Sequence, residues 1–176
     1  MELETLQYPI GRFQWKIENG APQREGWLAT IAETPAAVRR AVEGLSREQL
    51  DTPYRPGGWT VRQVVHHYAD DHMNSYIRFK WALTEDAPVI KGYLEAVWAE
   101  LPDVRTGPIE PSLALLDALH QRWMEGWRAL SEPDWQRTFV HQKRGPVTLE
   151  QLAELYHWHG RHHVAQVEAL RARNGW

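Results

Sequence analysis

The sequence contains no cysteine, which excludes disulfides, thiolate-held metals and a cysteine nucleophile. It has no excess of basic charge either. Twenty Lys and Arg stand against 23 Asp and Glu, a net charge of −3 with histidine neutral, so no positive field draws the chain to nucleic acid or anionic lipid. No uninterrupted apolar run approaches the ~18 residues that a membrane helix needs. The opening Met1-Glu2-Leu3-Glu4 is acidic where an export signal would be basic, so a cytoplasmic location is expected. At 176 residues, 43% apolar and 24% charged, the chain suits one globular domain spanning 1–176. Two residue types are abundant instead: nine histidines and ten tryptophans.

Apolar spacing predicts an all-α bundle. Residues 1–20, with Pro9, Gly11 and Gly20, read as an extended arm. From Pro22 onward Leu28, Ile31, Pro35, Val38, Val42 and Leu45 recur by three and four, the seam of a bundle helix. Pro35 on that seam is expected to kink the helix, or to restart it with Thr34 as N-cap. Thr60-Val61-Arg62-Gln63 has the form of a capping box and opens a second helix, to about Thr84. Residues 86–111 form a long Pro-rich loop with room for a short helix at Tyr93–Leu101. A third helix follows Pro111, and a loop near 138–147 leads to the box Thr148-Leu149-Glu150-Gln151. The fourth helix then runs to about Arg173. Four long helices and no strand pair make a four-helix bundle. Leu45–Leu50 before the second helix resembles Leu130–Trp135 before the fourth, a weak internal repeat of helix–loop–helix units.

The fourth helix carries Leu149, Leu152, Tyr156, His159, His163, Gln166 and Leu170 in one stripe. His159 and His163 stand one turn apart inside an apolar seam, a spacing at which two imidazoles reach one cation about 2 Å from each nitrogen. His157 falls off the stripe and His162 lies on its edge. Gly160 leaves room for close packing of another helix. A third ligand has to come from elsewhere, and on the second helix His66, His67 and His72 are all candidates that the helical wheel does not separate. His67, Asp71, Asn74 and Arg78 share a polar stripe, which is either a solvated face or the wall of a pocket. His120 on the third helix's seam is expected to be a core histidine or to support a ligand.

Several stretches together resemble the YfiT branch of the DinB-like proteins. They are Tyr8-Pro9-Ile10-Gly11-Arg12-Phe13, Gly57-Gly58-Trp59-Thr60-Val61-Arg62-Gln63-Val64-Val65-His66-His67, His72 through Lys80, and Tyr156-His157-Trp158-His159-Gly160-Arg161-His162-His163. The resemblance implies a four-helix bundle holding one divalent metal on three histidines. Matched by position, the ligand on the second helix is His67, beside His159 and His163. It also implies metal-dependent hydrolysis or bacillithiol S-transfer, and a homodimer.

Three histidines leave a coordination position open, as catalytic zinc sites do; Ni²⁺, Mn²⁺ and Fe²⁺ also suit such ligands. Without a cysteine in the chain, a thiolate nucleophile has to arrive with the substrate. The leading expectation is therefore a metal-dependent enzyme joining a small thiol to an electrophile. Hydrolysis is the alternative, and a metal-binding, stress-associated bundle without turnover is a third. Asp71 is the candidate for proton transfer, while Arg78 and Arg161 are candidates to hold an anionic substrate group. A metalloprotease is disfavoured because Gly160 occupies the position of the catalytic glutamate. A di-iron site is disfavoured because only Glu154–His157 has the Glu-x-x-His form.

Overall fold

The computed structural model describes residues 2–15 and 20–176. The chain runs through α1 (Leu3–Gln7), a 3₁₀ turn at Ala21–Gln23, α2 (Arg24–Val42), α3 (Arg47–Leu50) and α4 (Val61–Thr84). It continues through β1 (Val89–Ile90), α5 (Glu95–Trp98), α6 (Pro102–Thr106) and α7 (Glu110–Arg128). A 3₁₀ turn at Glu132–Gln136 then precedes β2 (Thr138–His141), β3 (Gly145–Thr148) and α8 (Leu149–Asn174). The long helices α2, α4, α7 and α8 are the four expected from the apolar spacing.

Reciprocal caps start two of these helices. Thr60 accepts from the backbone of Gln63 while its own N–H donates to the Gln63 side chain. Thr148 and Gln151 repeat the arrangement, so orphan amides at each N-terminus are satisfied locally. The degenerate repeat has the same local cause, since Ser46 with Gln49 and Ser131 with Asp134 are capping boxes too.

Three local expectations change. The arm before Pro22 is not extended throughout, because α1 occupies Leu3–Gln7; its residues 16–19 lie outside the described residues. Helix α2 passes Pro35 without ending or restarting, and Thr34 is not a cap: its hydroxyl donates back to Thr30 O. Proline removes one N–H from the ladder, and the Ile31 carbonyl four residues earlier is taken by His120 Nδ1 at 2.8 Å. The loops also hold a small sheet where no strand pair was expected. β2 and β3 form an antiparallel hairpin with Phe139 opposite Val147, and β1 lies parallel to β2 with Val89 opposite Val140. Only Ile90, Phe139 and Val147 of these strands are deeply buried, too few for a two-residue period to register in the sequence.

Helix α2 packs against α7 and α8, and α4 packs against the same two. The first and second long helices therefore stand across the bundle from each other, as do the third and fourth. One apolar cluster gathers Ile31, Phe79, Trp123, Trp127 and Tyr156; the other gathers Val38, Val64, Tyr68, Leu116 and Val167. Every long helix contributes to both clusters. Between them lies a polar layer made of Thr34, His72, His120, His159 and His163, all but one buried.

Candidate metal centre

His67 on α4 and His159 and His163 on α8 converge, with their ligand atoms all within 4.8 Å of one another. Of the three histidines of α4 that the helical wheel left open, His67 thus joins the α8 pair, while His72 falls in a second possible group with Asp71 and His159. His67 Nε2 lies 3.3 Å from His159 Nε2. Two nitrogens bound to one tetrahedral cation at about 2.0–2.1 Å stand about 3.3–3.4 Å apart, so the spacing fits a shared metal. Burial pushes all three imidazoles below their usual pKa, and their mutual repulsion adds to this for His159 and His163. Neutral rings with free lone pairs are the form that binds a divalent cation.

Each ring is held through its other nitrogen. His163 Nδ1 donates to Gln166 Oε1 at 2.7 Å, and the Gln166 amide N–H donates to Gln7 O at 2.8 Å, which orients the amide. His67 Nδ1 faces the Tyr93 hydroxyl at 3.4 Å, and that hydroxyl donates to Asp71 Oδ1 at 3.1 Å. His159 Nδ1 faces His72 Nε2 at 3.2 Å. Partners of this kind fix ring orientation and tautomer in metal sites. Trp59 packs against the His67 ring, with centroids 4.8 Å apart.

Asp71 lies beside the cluster, its Oδ2 3.6 Å from His159 Nε2. It accepts from Tyr93 and, at 2.6 Å, from Tyr156, which also meets Ser75. The polar stripe of α4 is therefore a pocket wall rather than a solvated face: His67, Asp71 and Arg78 line a cavity of about 820 Å³ together with His159 and His163. Asn74 is the exception and donates to Asp70 O. Arg78 is 9% exposed and has no carboxylate partner among the described residues. Arg12, Lys143 and Arg144 stand at the same cavity, with aromatic walls from Phe13, Trp15, Tyr93 and Trp158.

The other candidates do not join the three-histidine cluster. Arg161 is exposed, bonds His157 at 3.0 Å and does not line the cavity, so the structure does not bring it to the site. His66 meets Ser112 Oγ at 2.7 Å, away from the cluster. His162 is buried and stacks on Trp158. His141 ends β2 and lines the cavity, although nothing in its loop-like sequence context marked it. Tyr93, Tyr156 and Gln166 were missed as site residues. Tyr156 and Gln166 sit on the α8 seam, where a polar group inside an apolar stripe is the one available signal; Tyr93 has none.

A model of the DinB superfamily matches residues 30–167. A Geobacillus thermodenitrificans protein named "Putative metal-dependent hydrolase" is 49% identical over 175 residues, covering 99% of this chain and 98% of that protein. A Bacillus cereus protein of the same name is 48% identical over 174 residues, 99% of this chain and 100% of its own length. The structure of YfiT from Bacillus subtilis, described as "a probable metal-dependent hydrolase with an unusual four-helix bundle topology", superposes with a TM-score of 0.94. It shares 47% identity over 98% of this chain and 99% of that one. With the bundle, the capped helices and a match running from α2 into α8, the chain belongs to the DinB superfamily.

Proposed function

We propose that this protein is a metal-dependent S-transferase that joins a low-molecular-weight thiol, of the bacillithiol type, to an electrophile. One divalent cation per chain, zinc for preference, would be held by His67, His159 and His163. The observation that carries this reading is Arg78: a buried guanidinium without a carboxylate partner among the described residues lines the same cavity as the three histidines, in a chain that has no thiol of its own. A carboxylate on the incoming thiol would supply the missing anion, since guanidinium pairs with carboxylate through two parallel hydrogen bonds.

A cation bound there would acidify a thiol or a water molecule brought beside it. Asp71 is placed to take the released proton, because its carboxylate faces the cluster and is oriented by Tyr93 and Tyr156. A carbon–sulfur bond then forms as the electrophile's leaving group departs with the electron pair. Phe13, Trp15 and Trp158 wall the cavity and shield the nucleophile from competing water. The proposal places the reaction in the cytoplasm, where small thiols are kept reduced, and in a homodimer, which light scattering reads directly.

The names of the relatives favour a second reading, hydrolysis, in which the same histidines and Asp71 act on water. One experiment separates the two. The zinc-loaded protein is incubated with bacillithiol and a chromogenic alkylating electrophile, and separately with an activated ester without thiol. Conjugate formation that consumes thiol one for one and disappears on EDTA treatment supports transfer. Ester turnover without thiol dependence replaces it with hydrolysis, and metal binding without either reaction leaves a non-enzymatic metal-binding bundle. Arg78→Leu is expected to raise KM for bacillithiol more than for 2-mercaptoethanol, which has no carboxylate.

A further inference from the structure

The gap that Pro35 leaves in the α2 ladder begins a line of hydrogen bonds that ends at the metal cluster. Ile31 O is a pure acceptor, so the 2.8 Å contact from His120 Nδ1 requires a hydrogen on that nitrogen. A neutral imidazole carries one N–H, which leaves His120 Nε2 as an acceptor. It lies 2.7 Å from His72 Nδ1, which must therefore donate. His72 Nε2 is then bare, and it stands 3.2 Å from His159 Nδ1, which donates in turn. The remaining nitrogen, His159 Nε2, is left with its lone pair toward His67 Nε2, 3.3 Å away.

We propose that His120 and His72 are positioning residues that, starting from the carbonyl freed by Pro35, set the tautomer of His159 so that Nε2 is presented to the cation. The direction of the whole line is decided at Ile31, because every ring has one proton to give and one lone pair to receive. Burial pushes the His120 ring, where the line starts, down to about 4, which leaves it one proton near pH 7. The same logic explains why two histidines occupy the apolar seams of α4 and α7 at His72 and His120, both at most 2% exposed. Neither belongs to the group of His67, His159 and His163, yet each passes on one hydrogen bond. The proposal rests on the three-histidine reading of the site.

Long-range ¹H–¹⁵N correlation of the histidine rings in metal-free wild-type protein tests it without any substitution. Hydrogen on Nδ1 of His120, His72 and His159 is expected; hydrogen on Nε2 of His72 or His159 overturns the proposal. Zinc affinity, measured by competition with a chromophoric chelator, supplies the second readout. His120→Phe, shown to be folded by circular dichroism, is expected to bind zinc about 10- to 100-fold more weakly. His120→Gln retains one donor and one acceptor and should recover most of the loss. Zinc binding by folded His120→Phe within twofold of wild type overturns the proposal; if that variant does not fold, the wild-type ring protonation decides alone. A wild-type chain that binds no zinc removes the three-histidine reading and the proposal with it.

Discussion

Tyr156 on α8 donates to Asp71 Oδ2 on α4 across 2.6 Å, tying a carboxylate beside the histidine cluster to the helix that supplies two of its histidines. With Tyr93 on the other oxygen, the carboxylate is held from both sides. Such orientation is what proton transfer needs, since a proton acceptor has to sit within hydrogen-bond reach of the group it serves.

Asp71→Asn is expected to lower turnover about 100-fold or more while metal content, read by elemental analysis, stays at the wild-type level. Tyr156→Phe keeps the carboxylate but frees one oxygen, so its effect should be smaller and in the same direction. Loss of metal in Asp71→Asn would show that the carboxylate is a ligand instead.

His159→Ala, His163→Ala and His67→Gln are each expected to abolish tight zinc binding. His66→Gln and His157→Ala should retain it, because their rings bond Ser112 and Arg161 and do not join the cluster. Equal metal content across all five variants, measured after dialysis, would reject the site.

At Gly160 helix α8 lies close against Thr34 of α2. A Cβ built there would lie 2.5 Å from Thr34 Oγ1, and the Gly160 carbonyl accepts from Tyr68 at 2.6 Å. Gly160→Ala should destabilise the metal-free protein by about 1–3 kcal/mol in urea unfolding. The double substitution with Thr34→Ala should recover part of this, because the two sites share one contact. Strictly additive effects would argue against the clash.

Asp70 is partly buried near Asp103 and Asp71, and burial first, then these charges, raises its pKa from 3.8 to about 6. A carboxyl whose folded pKa is raised favours the folded state fully below about pH 4 and loses that contribution as pH rises toward 6. Asp70→Asn should therefore match wild-type stability near pH 3.5. Above pH 6 it should exceed wild type by about 1–2 kcal/mol, after allowance for solvent screening. A constant difference across the range would contradict the shift.

Much of the helical scaffold was legible because its determinants are local. Three- and four-residue apolar spacing set the faces of α2, α4, α7 and α8, and the Thr60 and Thr148 boxes marked two starts within a residue. The hairpin of Thr138–Thr148 was not, because two inward residues are too few to show a period. Passage of α2 through Pro35 was equally hidden, since the group that donates to the freed carbonyl, His120, comes from 89 residues away.

At the site the division follows the same physics. Helical geometry by itself puts His159 and His163 on one face, one turn apart, because 3.6 residues per turn leave them no other relation. It cannot say which α4 histidine meets them. His66, His67 and His72 differ only in rotation and height on their own helix, and the choice depends on how α4 is turned and shifted against α8. Resemblance to known proteins named His67; the packing of the two helices places its Nε2 3.3 Å from His159. Packing likewise sends Arg78 into the cavity and leaves Arg161 on the surface. It also turns His72 and His120 from seam residues into partners, because hydrogen bonds between helices form only once the bundle has set their separation.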